Sequence, residues 1–286
     1  MNKFTPRRQR IAEYLEALYS VYNARRYVSP DPLEFLYRYD SPEDREIAAL
    51  IASSLAYGRV AMILRNAGSV LEAMGKSPRA FVESGSPDEW REQFRGFRHR
   101  FTDGNDVAFL LGGVQHVICR YGSLGNCLAQ KRRETGTLAG ALDELVKLLE
   151  SGRKNSLLCR PSMRSACKRH FLMLRWMVRC DDVDPGGWNG LNPAELLVPL
   201  DTHMYQVCRT LGFTRRRAAD LKTSEEITRV FALMRPDDPV RYDFVITRFG
   251  IRSDMEQDRL IDECRRRARP GAVRPAEHEK HERVVL

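Results

Sequence analysis

The stretch VAMILRNAGSVLEAMG, residues 60–75, decides the fold class, because its apolar side chains recur at helical spacing. Intervals of three and four residues place such side chains on one face of an α-helix. The apolar residues that share this face are Val60, Ile63, Leu64, Ala67, Val70, Leu71 and Met74. A glycine such as Gly75 is typical of the residue that follows a helix. The stretch therefore predicts an amphipathic helix that ends at Gly75.

Signals for the start of a helix recur on both sides of this stretch. A hydroxyl residue followed by proline, which favours a capped first turn, occurs at Thr5, Ser41, Ser77 and Ser86. The sequence shows no sustained alternation of apolar and polar residues with a period of two, the pattern of a half-buried strand. We therefore predict an all-α protein.

The composition is that of a soluble globular protein, with 43% hydrophobic and 30% charged residues in a chain of 286. Its net charge of +9 favours a polyanionic partner, nucleic acid first. Neither a signal peptide nor an apolar run of about 18 residues is visible, so we expect a cytoplasmic protein with no membrane partner. Seven widely spaced cysteines without a Cys-x-x-Cys pair predict buried free thiols and neither a metal nor a cofactor.

A second stretch, LLVPLDTHMYQVCRTLGF at residues 196–213, contains candidate catalytic groups. Asp201 stands where the N-cap of an apolar helix is expected, and capping alone, at about 1 kcal/mol, would explain it. Asp201 and His203 are also possible metal ligands, but a third ligand at suitable spacing is missing. The residues alone leave capping, catalysis and metal binding open.

This stretch resembles the segment of endonuclease III-type DNA glycosylases, of the helix-hairpin-helix superfamily, in which an apolar-Asp-Thr-His sequence enters a helix. The resemblance implies that Asp201 is catalytic as well as a cap. Upstream, SACKRH at residues 165–170 is similar to the site of the lysine nucleophile in bifunctional members, which implies Lys168. Their separation of 33 residues (201 − 168) is closer to that of archaeal 8-oxoguanine glycosylases than to that of endonuclease III.

A third match is ALIASSLAYGRV, residues 49–60, which resembles the early apolar helix of these glycosylases and the polar loop that enters DNA beside the lesion. It implies that Tyr57 and Arg59 contact DNA, although Tyr57 would equally suit a place in the core. Over nearly its full length, the chain resembles most closely a bacterial family of conserved hypothetical proteins, the domain of unknown function 2400.

One stretch departs from the glycosylase pattern. The helical hairpin of that family usually reads Leu-Pro-Gly-x-Gly, whose backbone N–H groups face a DNA phosphate. Residues 159–165, CRPSMRS, contain no glycine, so Arg160 and Arg164 are candidates for side-chain contacts instead. The other candidate DNA-binding residues, with Trp188 as a platform for a flipped base, are Arg169, Trp188, His203, Arg215 and Arg216.

These matches predict a monomeric, metal-free DNA N-glycosylase of base-excision repair, with or without AP-lyase activity through a lysine Schiff base. The alternatives are a non-catalytic DNA- or RNA-binding protein on the same scaffold and a helical protein–protein adaptor. The resemblance implies two helical subdomains that flank a cleft within residues 1–252, one from about 45–165 and one from about 1–44 plus 190–252. The charged segment 253–286 is expected to begin as a solvated helix and to end as a disordered tail.

Overall fold

A computed structural model describes residues 5–163 and 165–269, and it is mostly helical with almost no strand, as the sequence predicts. Arg164, a candidate phosphate contact, lies outside the described residues, as do residues 270–286 of the expected tail. None of the helices within the described ranges combines the length and the apolar character needed to cross a membrane.

Helices follow one another through the first half of the chain, with short connections. They are α1 (Pro6–Tyr22), α2 (Pro42–Ser54), α3 (Val60–Met74), α4 (Pro78–Ser84), α5 (Pro87–Gln93) and α6 (Gly104–Tyr121). A 3-10 helix, Pro32–Arg38, precedes α2. Between α5 and α6, two-residue strands β1 (Arg98–His99) and β2 (Thr102–Asp103) pair in antiparallel fashion. The strands form a small β-hairpin on an otherwise helical body.

The second half of the chain is also built from helices. Its helices are α7 (Leu124–Thr135), α8 (Leu138–Glu150), α9 (Lys168–Val178), α10 (Thr202–Thr210), α11 (Leu221–Ala232), α12 (Asp243–Ile251) and α13 (Gln257–Arg267). Further 3-10 turns lie at Arg25–Tyr27, Pro161–Met163 and Pro193–Glu195.

The predicted helix starts are confirmed, because each hydroxyl accepts a hydrogen bond from a backbone N–H of the first turn. This holds for Thr5, Ser41, Ser77 and Ser86. Such caps satisfy N–H groups that the helix itself leaves without a partner. Helix α3 also ends as predicted, at Gly75, whose φ of +73° is strained for other residues.

The helices pack as two groups with α9 between them. In one group α2 contacts α3 and α4, while α6 contacts α5, α7 and α8. In the other, α10, α12 and α13 contact one another, and α1 contacts α12 and α13. Helix α9 packs along α2. The start of the C-terminal segment is helical as expected, but α13 is not solvated all round, because Leu260, Ile261 and Cys264 are buried.

The C-terminal half of α9 is fixed by buried ion pairs. Arg175 pairs with Asp184 and Asp243, and Arg179 pairs with Asp184 and Asp238. Arg175, Arg179, Asp184 and Asp243 are each at most 4% exposed. A charge this deeply buried is costly unless it is paired. The network therefore joins α9 to α12 and to the loop that follows α9.

A second cluster lies next to this network on α1. Glu16 accepts hydrogen bonds from Arg241 and Tyr242, each at 2.8 Å, and pairs with Arg235 at 2.9 Å. Burial raises the pKa of Glu16, but the bonds from Arg241, Tyr242 and Arg235 outweigh it and lower the pKa to about 2. Tyr19 connects the clusters, because its ring lies under the Arg241 guanidinium, 3.8 Å away, and its hydroxyl donates to Asp181, a partner of Arg179, at 2.7 Å.

Candidate active site between the helix groups

A cavity of about 600 Å³ lies between the two helix groups, at the N-terminal ends of α9 and α10. Four of the sequence-predicted site residues line it together: Tyr57, Lys168, Asp201 and His203. Apolar side chains such as Ile63 complete the wall. Concave sites of about 300–1,000 Å³ with a few polar groups are typical of small-ligand sites. The structure thus brings the amine and the carboxylate singled out in the sequence to one cavity.

Asp201 is the N-cap of α10, as predicted. One carboxylate oxygen, Oδ1, accepts a hydrogen bond of 2.7 Å from the backbone N–H of Met204. The residue remains partly exposed. Because the cap uses Oδ1, the carboxylate has a fixed orientation and still has a second oxygen with which to interact at the cavity.

Lys168 is the first residue of α9 and has no hydrogen-bond or ion-pair partner among the described residues. A positive charge at a helix N-terminus lies at the unfavourable end of the helix dipole, at a cost of about 0.3–1 kcal/mol. The preceding residue, Cys167, has a left-handed φ of +45° and caps the helix with no side-chain hydrogen bond. Such strain in a residue other than glycine costs about 1–3 kcal/mol. This helix start is therefore poorly suited to stability alone.

His203 packs closely against the C-terminal helices. Its Nδ1–H donates to Gln257 Oε1 at 3.1 Å, and Gln257 Nε2 donates back to the His203 carbonyl at 3.2 Å. A Cβ atom at Gly250 would lie 2.3 Å from the ring, so only glycine fits there. These contacts attach the start of α13 to the cavity wall.

Tyr57 joins the cavity to the β-hairpin. Its hydroxyl donates to the His99 carbonyl at 3.0 Å and lies 2.6 Å from Thr102 Oγ1. Its ring stacks on Phe101, with 5.2 Å between the ring centroids. Phe101 is 66% exposed, which is unusual for a side chain so apolar. Sequence reasoning missed Phe101, because no local pattern shows that the tip of a hairpin stands beside a cavity.

His99 holds the β-hairpin in place. Asn66 Nδ2 donates to His99 Nδ1 at 2.9 Å, and His99 Nε2–H donates to the Tyr57 carbonyl at 3.0 Å. Burial lowers the pKa of His99, which keeps the ring neutral and able to make both bonds. The β-hairpin and the loop before α3 are therefore one connected unit.

A smaller cavity, of about 360 Å³, lies on the other side of Tyr57. Arg59, Arg100 and Met62 line it, and all three side chains are exposed. The loop before α3 and the tip of the β-hairpin thus present two cations beside the exposed ring of Phe101.

The guanidinium of Arg169, a predicted DNA contact, is already bound within the protein. Its guanidinium donates to the carbonyls of Ser54 at 2.7 Å and Ser156 at 3.1 Å, and lies 5.1 Å from the centre of the Tyr57 ring. A guanidinium used in this way has few donors left for a phosphate. Arg169 positions Tyr57 and the start of α9.

Two further candidate arginines are paired within the chain. Arg160 forms an ion pair with Glu150, and Arg216 forms one with Asp220 at 2.6 Å. Arg215 is exposed. Of the arginines predicted to contact phosphate and described by the structure, Arg59 and Arg215 are the two whose side chains stand exposed.

Trp188 is not at the cavity, which is a correction to its expected role as a base-stacking platform. It is 7% exposed, packs against Gly125, and donates its indole N–H to Glu46 Oε2 at 2.7 Å. A glycine-rich loop favoured an exposed ring in the sequence. The carboxylate that draws the indole inward lies 142 residues away in the chain, so local sequence carried no signal of it.

A second carboxylate reaches the cavity and was not singled out from the sequence. Asp31 lines the cavity and is the N-cap of the 3-10 helix that begins at Pro32, where it accepts from the Leu33 N–H. Its other oxygen accepts from the buried guanidinium of Arg248. The Asp-Pro pair is the same helix-start signal that occurs at Ser41. Its position at the cavity depends on Arg248, far along the chain.

Among the described residues, no group of three or more His, Cys, Asp or Glu side chains is arranged to hold a metal ion. Residues 31–252 match the model of a family described as a protein of unknown function, DUF2400. No curated protein and no solved structure is significantly similar to the chain.

Proposed function

This chain belongs to the DUF2400 family, whose description assigns no activity, and we propose from its cavity that it is a DNA N-glycosylase of base-excision repair with an associated lyase step. One observation carries the proposal. Lys168 and Asp201 start different helices, lie 33 residues apart (201 − 168), and line the same cavity. An amine and a carboxylate beside one pocket are the two groups that this chemistry needs.

The carboxylate acts on the bond between the sugar and the base. When that bond breaks, the base leaves with the bonding electrons and takes a proton, and positive charge develops on the deoxyribose. A fixed carboxylate stabilises that charge more than it stabilises the neutral substrate. Asp201 suits this role because its hydrogen bond to the Met204 N–H holds it in place.

The amine acts on the sugar carbon from which the base departs. The nitrogen of Lys168, in its neutral form, attacks C1′; loss of a proton and opening of the ring give a Schiff base. Loss of a C2′ proton to solvent then expels the 3′ phosphate, which leaves with the electrons of the C3′–O bond, and the strand breaks. The lack of a protein partner for Lys168 among the described residues favours this role, since an ion pair would favour the protonated amine, which has no lone pair for the attack.

The target nucleotide must leave the duplex before either group can reach it. The cavity of about 600 Å³ has room for one extruded nucleoside. Phe101, exposed and stacked on Tyr57, is suited to fill the gap left in the base stack. Arg59 and Arg100 flank it as phosphate contacts. The net charge of +9 agrees with a polyanionic partner.

Borohydride trapping on a duplex that contains one abasic site tests the proposal. The native chain is expected to give a covalent protein–DNA adduct, and Lys168→Gln is expected to give none. The variant should fold, because it removes a cation from the unfavourable end of a helix dipole. Lys154→Gln, which changes an exposed lysine, is the matched control and should keep the adduct.

An adduct of equal yield in Lys168→Gln would overturn the assignment of the nucleophile. Salt-sensitive binding to the duplex without any adduct would favour a non-catalytic nucleic-acid-binding protein instead. Failure to bind DNA at all would leave the protein–protein adaptor.

A further inference from the structure

Two cysteines and a histidine meet at the start of α9, outside the groups used above. Cys159 Sγ lies 3.0 Å from His170 Nδ1, and the Cys167 thiol is near enough to act as a hydrogen-bond donor to it. His170 is fully buried, and its Nε2 has no partner among the described residues. Cys167 directly precedes Lys168. The two sulfurs thus stand at the two ends of one short loop.

The two thiols are not equivalent. The hydrogen bond from Cys167 lowers the pKa of Cys159, and the nearby His170 and Arg169 lower it further. The same hydrogen bond raises the pKa of Cys167, and burial raises it further. A thiolate is the nucleophilic form of cysteine, so Cys159 is the reactive member of the pair.

The other cysteines differ from this pair. Cys127, Cys208 and Cys264 are buried, and burial raises their pKa, as expected of inert core thiols. Cys119 and Cys180 are exposed, contrary to the expectation that the cysteines are buried. Neither exposed thiol is hydrogen-bonded to a histidine or to a second thiol among the described residues.

We propose that Cys159 and Cys167 form a peroxide-oxidation site, in which Cys159 reacts first and Cys167 resolves it to a disulfide. This inference is independent of the proposed glycosylase activity. It rests on the contact between Cys159 and His170, on the adjacent second thiol, and on the partial exposure of Cys159.

The reaction balances with hydrogen peroxide as the oxidant. The Cys159 thiolate attacks one peroxide oxygen, the O–O bond breaks, and the other oxygen leaves as hydroxide, which gives a sulfenic acid. The Cys167 sulfur then attacks the Cys159 sulfur, the S–O bond breaks, and the oxygen leaves as water with the proton of Cys167. The two sulfurs are oxidised, one peroxide is reduced, and the protein loses two hydrogens.

The disulfide would change the start of α9. It would join Cys167, the residue before Lys168, to Cys159 at the beginning of the loop, and so restrict the left-handed Cys167. The redox state of this pair is thereby linked to the orientation of the Lys168 side chain at the cavity.

Peptide mapping of the full chain after treatment with one equivalent of hydrogen peroxide tests the inference. Free thiols are blocked with N-ethylmaleimide in denaturant before trypsin digestion. The expected product joins the peptide 155–164 to the peptide 165–168, with a loss of about 2 Da relative to their sum, and dithiothreitol reverses it. Oxidation of Cys159 should exceed that of Cys119 by about tenfold, despite the greater exposure of Cys119.

Two variants separate the roles. In Cys167→Ala, one equivalent of peroxide should leave Cys159 as a sulfenic acid, which dimedone labels, because no resolving thiol remains. In Cys159→Ser, Cys167 should stay reduced at the same peroxide dose, since it is buried. Faster oxidation of Cys119 or Cys180 than of Cys159, or Cys159 sulfinic acid without the cross-linked peptide in the native chain, would overturn the inference.

Discussion

The basic residues at the two ends of α9 differ in burial and in ion pairing. At the C-terminal end, Arg175 and Arg179 are buried and paired with Asp184 and other carboxylates. At the N-terminal end, Lys168 is partly exposed at a cavity, and no carboxylate pairs with it among the described residues. A helix of eleven residues therefore has paired cations at and just beyond its C-terminal end and an unpaired one at its N-terminal end.

The difference shows which end is organised for stability. Buried arginines must be paired, because an unpaired buried charge is more costly than most folds tolerate. The favourable place for a cation is the C-terminus of a helix, whereas Lys168 stands at the N-terminus. Strain at Cys167 and the lack of a side-chain cap add to that cost. An end that is poorly stabilised and lined by a cavity is where binding or catalysis is expected.

Removing the ion pairs at the C-terminal end of α9 should have the largest effect on stability. Asp184→Ala leaves both Arg175 and Arg179 short of a buried partner and should lower the free energy of unfolding by about 3–5 kcal/mol. Urea unfolding measures it. The neighbouring Asp182→Ala, at an exposed position, should change it by less than about 0.5 kcal/mol. Equal losses in the two variants would mean that the network contributes nothing specific.

At the cavity, a substitution should slow catalysis without lowering the stability of the protein. Asp201→Asn preserves the cap on α10, because asparagine caps as well as aspartate, but removes the negative charge. Base release, measured on a lesion-containing duplex from which the native chain removes a base, should slow by about 100-fold, while the urea midpoint stays the same. A variant that releases the base at the native rate would show that Asp201 is only a cap.

The exposed Phe101 ring beside the cavity should contribute to DNA binding. Phe101→Ala should weaken binding to a duplex with an abasic site by about tenfold, because base–aromatic stacking contributes about 1–3 kcal/mol. Fluorescence anisotropy measures the affinity. Met163→Ala is the matched control, since Met163 is also 66% exposed. If both variants lose affinity equally, the Phe101 ring has no special role.

Acid should weaken the ion pairs that Glu16 makes with Arg241 and Arg235. The folded-state pKa of Glu16 is about 2, below its ordinary value of 4.5, so its stabilising contribution is complete above the ordinary value and is lost as pH falls towards 2. Glu16→Gln removes that titration. The stability advantage of the native chain over this variant should therefore shrink between about pH 5 and pH 2 in chemical denaturation. Glu13→Gln, on the exposed face of α1, should run parallel to the native chain. An advantage that does not vary with pH would contradict the depressed pKa.

Much of the fold and part of the candidate site could be predicted from the sequence. The helix over residues 60–74 and the caps at Thr5, Ser41 and Asp201 depend on neighbours within one turn, which local spacing reveals. The contacts of Arg169 and Trp188 could not be predicted, because their hydrogen-bond partners Ser54 and Glu46 are more than a hundred residues away in the chain.

The sequence by itself determined that the chain is all-α, that helices begin after Thr5, Ser41, Ser77 and Ser86, and that Asp201 caps another. Only the tertiary structure decided that both residues line one cavity, that Phe101 is exposed beside it, and that Cys159 meets His170. The reason is physical. Helix starts depend on backbone groups a few residues away, whereas burial, pairing and cavities arise where distant segments pack.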